Sequence, residues 1–208
     1  MTGPRLALHG AATGNSYRAL IALLEAGLDV ELQRVDLAGG EHKRPAFLAL
    51  NPEGKTPVLV RRDVGGRIDF VLTQSNAIIL WASDQVPGRL LPAIGEAERA
   101  VALERYFYFL TDVIQLNFAA FLMERAAETA AAARLTETYL ANIAAAERFV
   151  ADGPFMAGAR FSIADIAAWS IMRSVSRLIP WPQLPALTRW HDSLASRPSI
   201  AAAMAAFD

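Results

Sequence analysis

The feature that most constrains this chain is a change of character close to residue 90. Alanine occurs 12 times in residues 1–95 and 28 times in residues 96–208. The first part mixes short Val-rich and Leu-rich runs with Gly and Pro, whereas the Ala-rich second part is typical of long helices. Between them, Pro87, Gly88 and Pro92 interrupt regular structure. We therefore predict an α/β domain over residues 1–84, a linker over 85–95 and an all-α domain over 96–208.

The order of short elements in the first domain predicts a mixed sheet. A helix between the first two strands favours a parallel pair, and the Asp-Val-Gly-Gly turn at residues 63–66 favours an antiparallel hairpin. The predicted fold is therefore β-α-β-α-β-β-α, followed by helices alone. The strands are expected over 5–9, 30–36, 58–62 and 67–72, and the helices over 16–26, 45–50, 73–86, 96–125, 130–152, 162–178, 184–196 and 199–207.

Composition argues against several classes of function. The chain has 20 basic and 21 acidic residues, so it lacks the basic excess that is typical of nucleic-acid-binding proteins. It contains no cysteine, which excludes disulfides, thiolate metal sites and catalysis by a protein thiol. The three histidines, His9, His42 and His191, do not have metal-ligand spacing, so we predict no metal.

The most apolar stretch, residues 108–123, is interrupted by Asp112, Gln115 and Asn117. It is shorter than the roughly 20 apolar residues of a membrane-spanning helix, and the first residues do not match a signal peptide. We therefore expect a cytoplasmic protein that has no membrane partner.

Three motifs follow one another along the chain. Residues 40–59 are GEHKRPAFLALNPEGKTPVL, residues 74–79 are QSNAII and residues 161–166 are FSIADI. Together they resemble the cytosolic glutathione transferase family of bacterial type, and the resemblance spans nearly the whole chain. It implies a thioredoxin-like domain that binds glutathione and an all-helical domain that forms the pocket for an electrophile. Within the last motif, Ser162 and Asp165 match a capping box, which we interpret as the structural start of a helix.

The resemblance places glutathione on the first domain. Pro57 is expected to have a cis peptide bond that frees the backbone of Thr56 to pair with a bound peptide, with an ordinary trans proline as the alternative. Ser75 is expected to bind a carboxylate at a helix N-terminus, or to act only as a helix cap. The implied glutathione contacts are His42, Lys43, Lys55, Thr56, Pro57, Gln74 and Ser75; for His42 and Lys43, the alternative is a solvated charge cluster.

In the resembling family, the loop after the first strand carries the side chain that activates the glutathione thiol. Here that loop is Thr-Gly-Asn-Ser-Tyr-Arg, residues 13–18. Ser16 occupies the place where similar bacterial sequences have cysteine, so it is the first candidate. Asn15 and Thr13 are alternatives, because each can donate a hydrogen bond. A further possibility is that Asn15 or Ser16 only caps the helix.

The second substrate is expected between the domains. Tyr106, Phe109, Val113 and Trp169 are candidate pocket walls, although aromatic residues at helical spacing are more often core. The resemblance implies a homodimeric glutathione transferase that adds the glutathione thiolate to a hydrophobic electrophile, as in detoxification. Glutathione is a cosubstrate, and no cofactor is expected.

The alternatives on the same fold are a glutathione-dependent isomerase, peroxidase or dehalogenase, or a non-catalytic glutathione-binding protein. The lack of cysteine argues against thiol-transfer members that use their own cysteine. Nucleotide binding is disfavoured, because Gly10 and Gly14 do not match the dinucleotide-binding spacing.

Overall fold

A computed structural model describes residues 4–207. The chain divides into two compact units: one contains the chain up to Pro87 together with the segment from Arg197 onward, and the other is Gly88–Ser196. Residues 85–96, between the last helix of the α/β part and the next helix, form turns and irregular structure, as the Pro and Gly content predicts.

The first unit contains the mixed sheet that the sequence predicts. Its described strands are β1 (Arg5–Gly10), β2 (Val30–Arg34), β3 (Val58–Arg62) and β4 (Ile68–Thr73), in the spatial order β2-β1-β3-β4. Strand β1 is parallel to β2 and antiparallel to β3, and β4 is antiparallel to β3. The helices within this part are α1 (Gly14–Glu25), α2 (Pro45–Leu48) and α3 (Ser75–Asp84).

Local sequence explains where α1 begins and ends. The side chain of Thr13 accepts a hydrogen bond from the backbone N–H of Ser16, which caps the helix N-terminus. Gly27 follows the helix with a φ of 69°, a left-handed conformation that glycine adopts at low cost. Leu20, Ile21 and Leu23 of α1 are buried, so the helix packs its apolar face into the core.

The second unit is helical throughout its regular elements. Helices α4 (Ala97–Tyr108) and α5 (Gln115–Arg125) are joined by a π-helical turn, Phe109–Ile114, so the predicted long helix is continuous but not regular. In a π-helical turn the backbone hydrogen bonds join residues five apart in sequence, instead of four. The other helices are α6 (Thr129–Ala145), α7 (Ile163–Ser174) and α8 (Pro185–Ala195); α6 and α7 are shorter than predicted because 3₁₀ turns follow them.

The helix Ala97–Arg125 is 29 residues long and is apolar enough, by length and composition alone, to cross a membrane. This corrects the expectation that the apolar stretch here is too short, since that expectation counted only residues 108–123. Core helices of soluble proteins have the same length and composition, so one such helix does not identify a membrane protein. Several apolar side chains of this helix are exposed, Phe107, Phe118 and Phe121 among them.

The last helix, α9 (Pro198–Phe207), belongs to the first unit. The predicted helical domain over 96–208 also includes this helix. In the structure α9 contacts α1, and Arg197 forms an ion pair with Glu25 at the end of α1. A run rich in alanine predicts a helix but does not indicate which neighbour that helix packs against.

Candidate functional site

Strand register brings four loops to one end of the sheet. His9 in β1 is opposite Val58 in β3, and Val58 is opposite Thr73 in β4. The segment that follows β1, the segment that precedes β3 and the segment that follows β4 therefore lie together. Strand β2 is parallel to β1, with Arg34 opposite Gly10, so the loop after β2 starts at the same end. These loops carry the residues that the sequence analysis assigned to glutathione.

The N-termini of two helices meet at this end of the sheet. Asn15 lies in the first turn of α1 and Ser75 is the first residue of α3. The Ser75 hydroxyl donates a hydrogen bond to Asn15 Oδ1 at 3.4 Å. Backbone N–H groups in a first helical turn lack helical partners and carry partial positive charge. The arrangement favours an anion, or two anionic groups of one ligand.

Gln74 precedes α3 in a left-handed conformation, with a φ of 70°. A non-glycine residue rarely adopts this backbone, and such residues cluster at binding sites. The side chain of Gln74 is exposed and makes no capping hydrogen bond to α3, whereas Ser75 is buried. The turn therefore leaves the Gln74 side chain at the surface beside the buried start of α3.

The Thr56–Pro57 peptide bond is cis, as the resemblance predicts. Among the hydrogen bonds of the described residues, none involves the backbone N–H or C=O of Thr56. Asn51, which the sequence analysis did not single out, holds the preceding loop: its Nδ2 donates to the carbonyl of Lys55 at 2.7 Å and its Oδ1 accepts from the N–H of Glu53. The backbone of Thr56 can therefore pair with an extended peptide.

Lys43 contacts the same loop. Its Nζ donates to the carbonyls of Glu53 at 3.2 Å and Gly54 at 3.3 Å. A Cβ on Gly54, whose φ is 60°, would lie 2.7 Å from the carbonyl oxygen of His42 and 2.8 Å from Lys43 Nζ. The glycine is therefore needed for this close approach. Lys43 holds the loop in addition to any contact with a ligand, a role that the sequence analysis did not predict.

The other two predicted cationic or polar contacts have different environments. His42 Nδ1 is buried and has no hydrogen-bond partner among the described residues. The Lys55 ammonium pairs with the Glu53 carboxylate at 2.8 Å, and both side chains are mostly exposed. The hydrogen bond from Lys55 and its charge lower the pKa of Glu53. Such surface pairs contribute little to stability.

The structure separates the three candidates for thiol activation. Ser16 has 0% exposure, and its Oγ accepts hydrogen bonds from the Ala11 N–H and the Thr13 hydroxyl, both at 3.2 Å. This burial favours a structural role for Ser16 over contact with a bound sulfur. Thr13 is half-buried and its hydroxyl is used in this network, while Asn15 is exposed.

The four candidate pocket residues lie in the core of the second unit. Tyr106, Phe109, Val113 and Trp169 are each no more than 3% exposed. This burial favours the alternative interpretation, in which the four side chains pack in the core and do not line a pocket. A cavity in this unit is lined by other residues, among them Leu90, Ala102, Arg160 and Phe161.

Sheet order, the cis proline and the helical unit together define a class: a thioredoxin-like domain joined to an all-helical domain. The family model for the glutathione S-transferase N-terminal domain matches residues 14–85, and the model for the C-terminal domain matches residues 111–206. The chain therefore belongs to the glutathione transferase family.

Relatives with different named activities match nearly the whole chain. The disulfide-bond oxidoreductase YfcG of Escherichia coli is 30% identical over 95% of this chain and 93% of its own length. Glutathione S-transferase 3 of Zea mays is 31% identical over 92% of this chain and 89% of its own. A glutathione transferase homologue of Lodderomyces elongisporus, crystallised with two glutathione molecules per subunit, is 27% identical with a TM-score of 0.84, covering 97% of this chain and 98% of that one. Family membership thus indicates glutathione-related chemistry but does not select one reaction.

Proposed function

We propose that the protein is a transferase that binds glutathione at the loop end of the sheet and adds its thiolate to a hydrophobic electrophile. The observation that carries the proposal is the register His9–Val58–Thr73, which brings Asn15, Thr56 and Ser75 to one end of the sheet. A peptide with a carboxylate at each end and a thiol in its centre suits an exposed backbone edge flanked by helix N-termini.

In this proposal each part of glutathione has its own contact. The γ-glutamyl carboxylate binds at the start of α3, with Ser75 and Gln74. The peptide backbone pairs with Thr56 beside Pro57, and the glycyl carboxylate lies near His42, Lys43 and Lys55. Support comes from the Thr56 backbone, which has no hydrogen bond among the described residues.

We propose Asn15, rather than Ser16, as the side chain that stabilises the thiolate. An unperturbed thiol has a pKa of about 8.5, so little of it is ionised at neutral pH. The exposed Asn15 amide can donate to the sulfur, and the N-terminus of α1 also favours the anion. The thiol proton leaves to water, the sulfur forms a bond to the electrophilic carbon, and the leaving group departs with its electron pair.

The proposal is tested by the pH dependence of the rate with a model chloronitroarene. In Asn15→Ala the profile should move to higher pH and kcat at neutral pH should fall, with a smaller change in KM for glutathione. Thr13→Ala and Ser16→Ala are compared in the same assay. A parent-like profile for Asn15→Ala together with a shifted profile for another variant would reassign the thiol contact. Absence of turnover with bound glutathione would instead favour a non-catalytic binding protein.

A second candidate function is the reduction of disulfides by bound glutathione. It is favoured by the match to the E. coli disulfide-bond oxidoreductase over 95% of the chain. Because this chain has no cysteine, the attacking sulfur must be that of glutathione itself: it forms a mixed disulfide with the substrate and expels a thiolate, and a second glutathione completes the exchange. Comparing turnover of a small dialkyl disulfide with that of the chloronitroarene distinguishes the two reactions.

We also propose that the protein is a cytoplasmic homodimer with a role in detoxification. Helix α5 presents Phe118, Phe121 and Leu122 on one face, and each is more than 40% exposed. The two phenylalanine rings stack with centroids 6.4 Å apart. An apolar face of this kind is typical of a protein interface.

A further inference from the structure

Helix α9 contacts both ends of α1. At one end, the Arg197 guanidinium forms a two-point pair with Glu25, with N–O distances of 2.5 and 2.8 Å, and the Ser199 hydroxyl donates to the same carboxylate. At the other end, the rings of Phe207 and Tyr17 meet edge to face, with centroids 5.1 Å apart. Helix α9 therefore runs antiparallel to α1 and is fixed to it at both ends.

Phe207 also contacts the loop that precedes α1. A Cβ on Gly10 would lie 3.1 Å from Phe207 Cζ and 3.2 Å from Ser16 Oγ, so the ring, Gly10 and Ser16 are packed with no spare room. The same Ser16 oxygen accepts hydrogen bonds from the N–H of Ala11 and the hydroxyl of Thr13. The buried ring of Phe207 therefore packs beside Gly10, the residue that precedes this hydrogen-bonded network.

We propose that Phe207 is a positioning residue for the thiol-binding loop. This inference rests on the proposed function, in which Asn15 donates to the glutathione sulfur. Asn15 is exposed and lies five residues after Gly10, beside which the Phe207 ring packs. The ring holds the loop from behind, so the distance from the Asn15 amide to the sulfur is fixed before glutathione binds. A hydrogen-bond donor stabilises an anion in proportion to how well it is held in place.

The test compares two truncations in the same helix. Phe207→Ala removes the ring beside the loop, and Ile200→Ala removes a fully buried side chain next to Ser199, at the Glu25 end of α1. Both variants should lower the melting temperature. Only Phe207→Ala should raise the pKa of bound glutathione, measured by the ultraviolet absorbance of the thiolate against pH, and lower kcat by on the order of ten- to a hundred-fold with little change in KM. Phe207→Leu should recover part of the shift.

Two outcomes would overturn the inference. One is a thiolate titration that stays at the parent pH in Phe207→Ala while it moves in Asn15→Ala. The other is an equal shift in Phe207→Ala and Ile200→Ala, which would show a general effect of loosening α9. If Asn15→Ala itself leaves the titration unchanged, the proposed thiol contact fails, and this result is separate from the behaviour of Phe207. All titrations are made at temperatures where each variant is folded.

Discussion

Asn15 and Ser16 are adjacent in the chain, yet the fold gives their side chains opposite environments. Ser16 is directed inward, where its oxygen serves the Ala11 N–H and the Thr13 hydroxyl. Asn15 is exposed and meets Ser75 from another helix. The side chains of successive helical residues point about 100° apart, so a shift of one residue decides whether a polar side chain faces the ligand or the core.

Ser16→Ala should therefore lower stability more than it changes the chemistry. The substitution leaves a buried N–H of Ala11 without its acceptor, which costs about 1–3 kcal/mol. We expect a lower midpoint in urea unfolding and a pH-rate profile close to that of the parent. A profile displaced to higher pH, with unchanged stability, would restore Ser16 as the thiol contact.

Ser75→Ala should weaken glutathione binding. The hydroxyl is proposed to contact a carboxylate far from the reacting sulfur, so its loss affects substrate and transition state alike. A hydrogen bond to a charged group contributes roughly 1.5–3 kcal/mol, which corresponds to about a ten- to hundred-fold rise in Kd.

Calorimetry and steady-state kinetics measure this effect. Ser83→Ala is the matched control, because Ser83 is a buried serine of the same helix whose hydroxyl donates to the carbonyl of Leu80. A Ser75→Ala variant with parent-like binding and collapsed kcat would contradict the assignment.

Among the elements, α7 has the most completely satisfied start. Asp165 is fully buried, and its carboxylate accepts hydrogen bonds from the N–H of Met156, the indole of Trp190, and the N–H and hydroxyl of Ser162. The capping box predicted from the sequence is therefore present. The sequence did not predict the bonds from Met156 and Trp190, which tie the helix start to two other segments.

Burial makes the charge on Asp165 costly in spite of these bonds. Desolvation raises the pKa of Asp165 from 3.8 to about 6, against the opposing effect of its hydrogen bonds. At a pH between 3.8 and about 6, folding therefore favours the binding of a proton to Asp165. The contribution of this group to stability is fully present below pH 4 and is lost as the pH rises through 6.

Asp165→Asn should reveal this dependence. Between pH 4 and pH 7 the unfolding free energy of the parent should fall relative to that of Asp165→Asn, by at most about 3 kcal/mol. Urea unfolding at a series of pH values measures it. Asp152→Asn, at an exposed carboxylate of the same unit, is the control. A difference independent of pH would show that Asp165 keeps an ordinary affinity for protons.

At the scale of the whole molecule, the exposed apolar side chains of α5 form the surface that we propose as the dimer interface. Phe118 and Phe121 are 45% and 48% exposed. Burial of such side chains stabilises an interface by roughly 25 cal/mol per Å² of apolar surface. Light scattering should give a mass of twice 22.5 kDa for the parent.

A charge placed in this face should dissociate the dimer. Phe121→Asp is expected to give a monomer, because an unpaired carboxylate in an interface is costly. Leu178→Asp, at a side chain 54% exposed on a different segment, should keep the parent mass. A parent of 22.5 kDa, or a dimer that persists in Phe121→Asp, would show that this face is not the interface.

The sequence by itself determined the element types and the two-part organisation. Short-range signals decide these features: turn residues for the hairpin at residues 58–73, Gly27 for the end of α1, and Ser162 with Asp165 for the start of α7. Motif resemblance added the cis peptide bond before Pro57 and membership of the glutathione transferase family.

Only the tertiary structure decided which of these elements and side chains meet. The sequence did not predict that α9 packs on α1, that Ser16 is fully buried, or that Asn15 contacts Ser75 across 60 residues. Each of these outcomes depends on the relative position of segments far apart in the chain. Periodicity and capping act over a few residues, so they determine that a helix forms, while packing determines what its side chains touch.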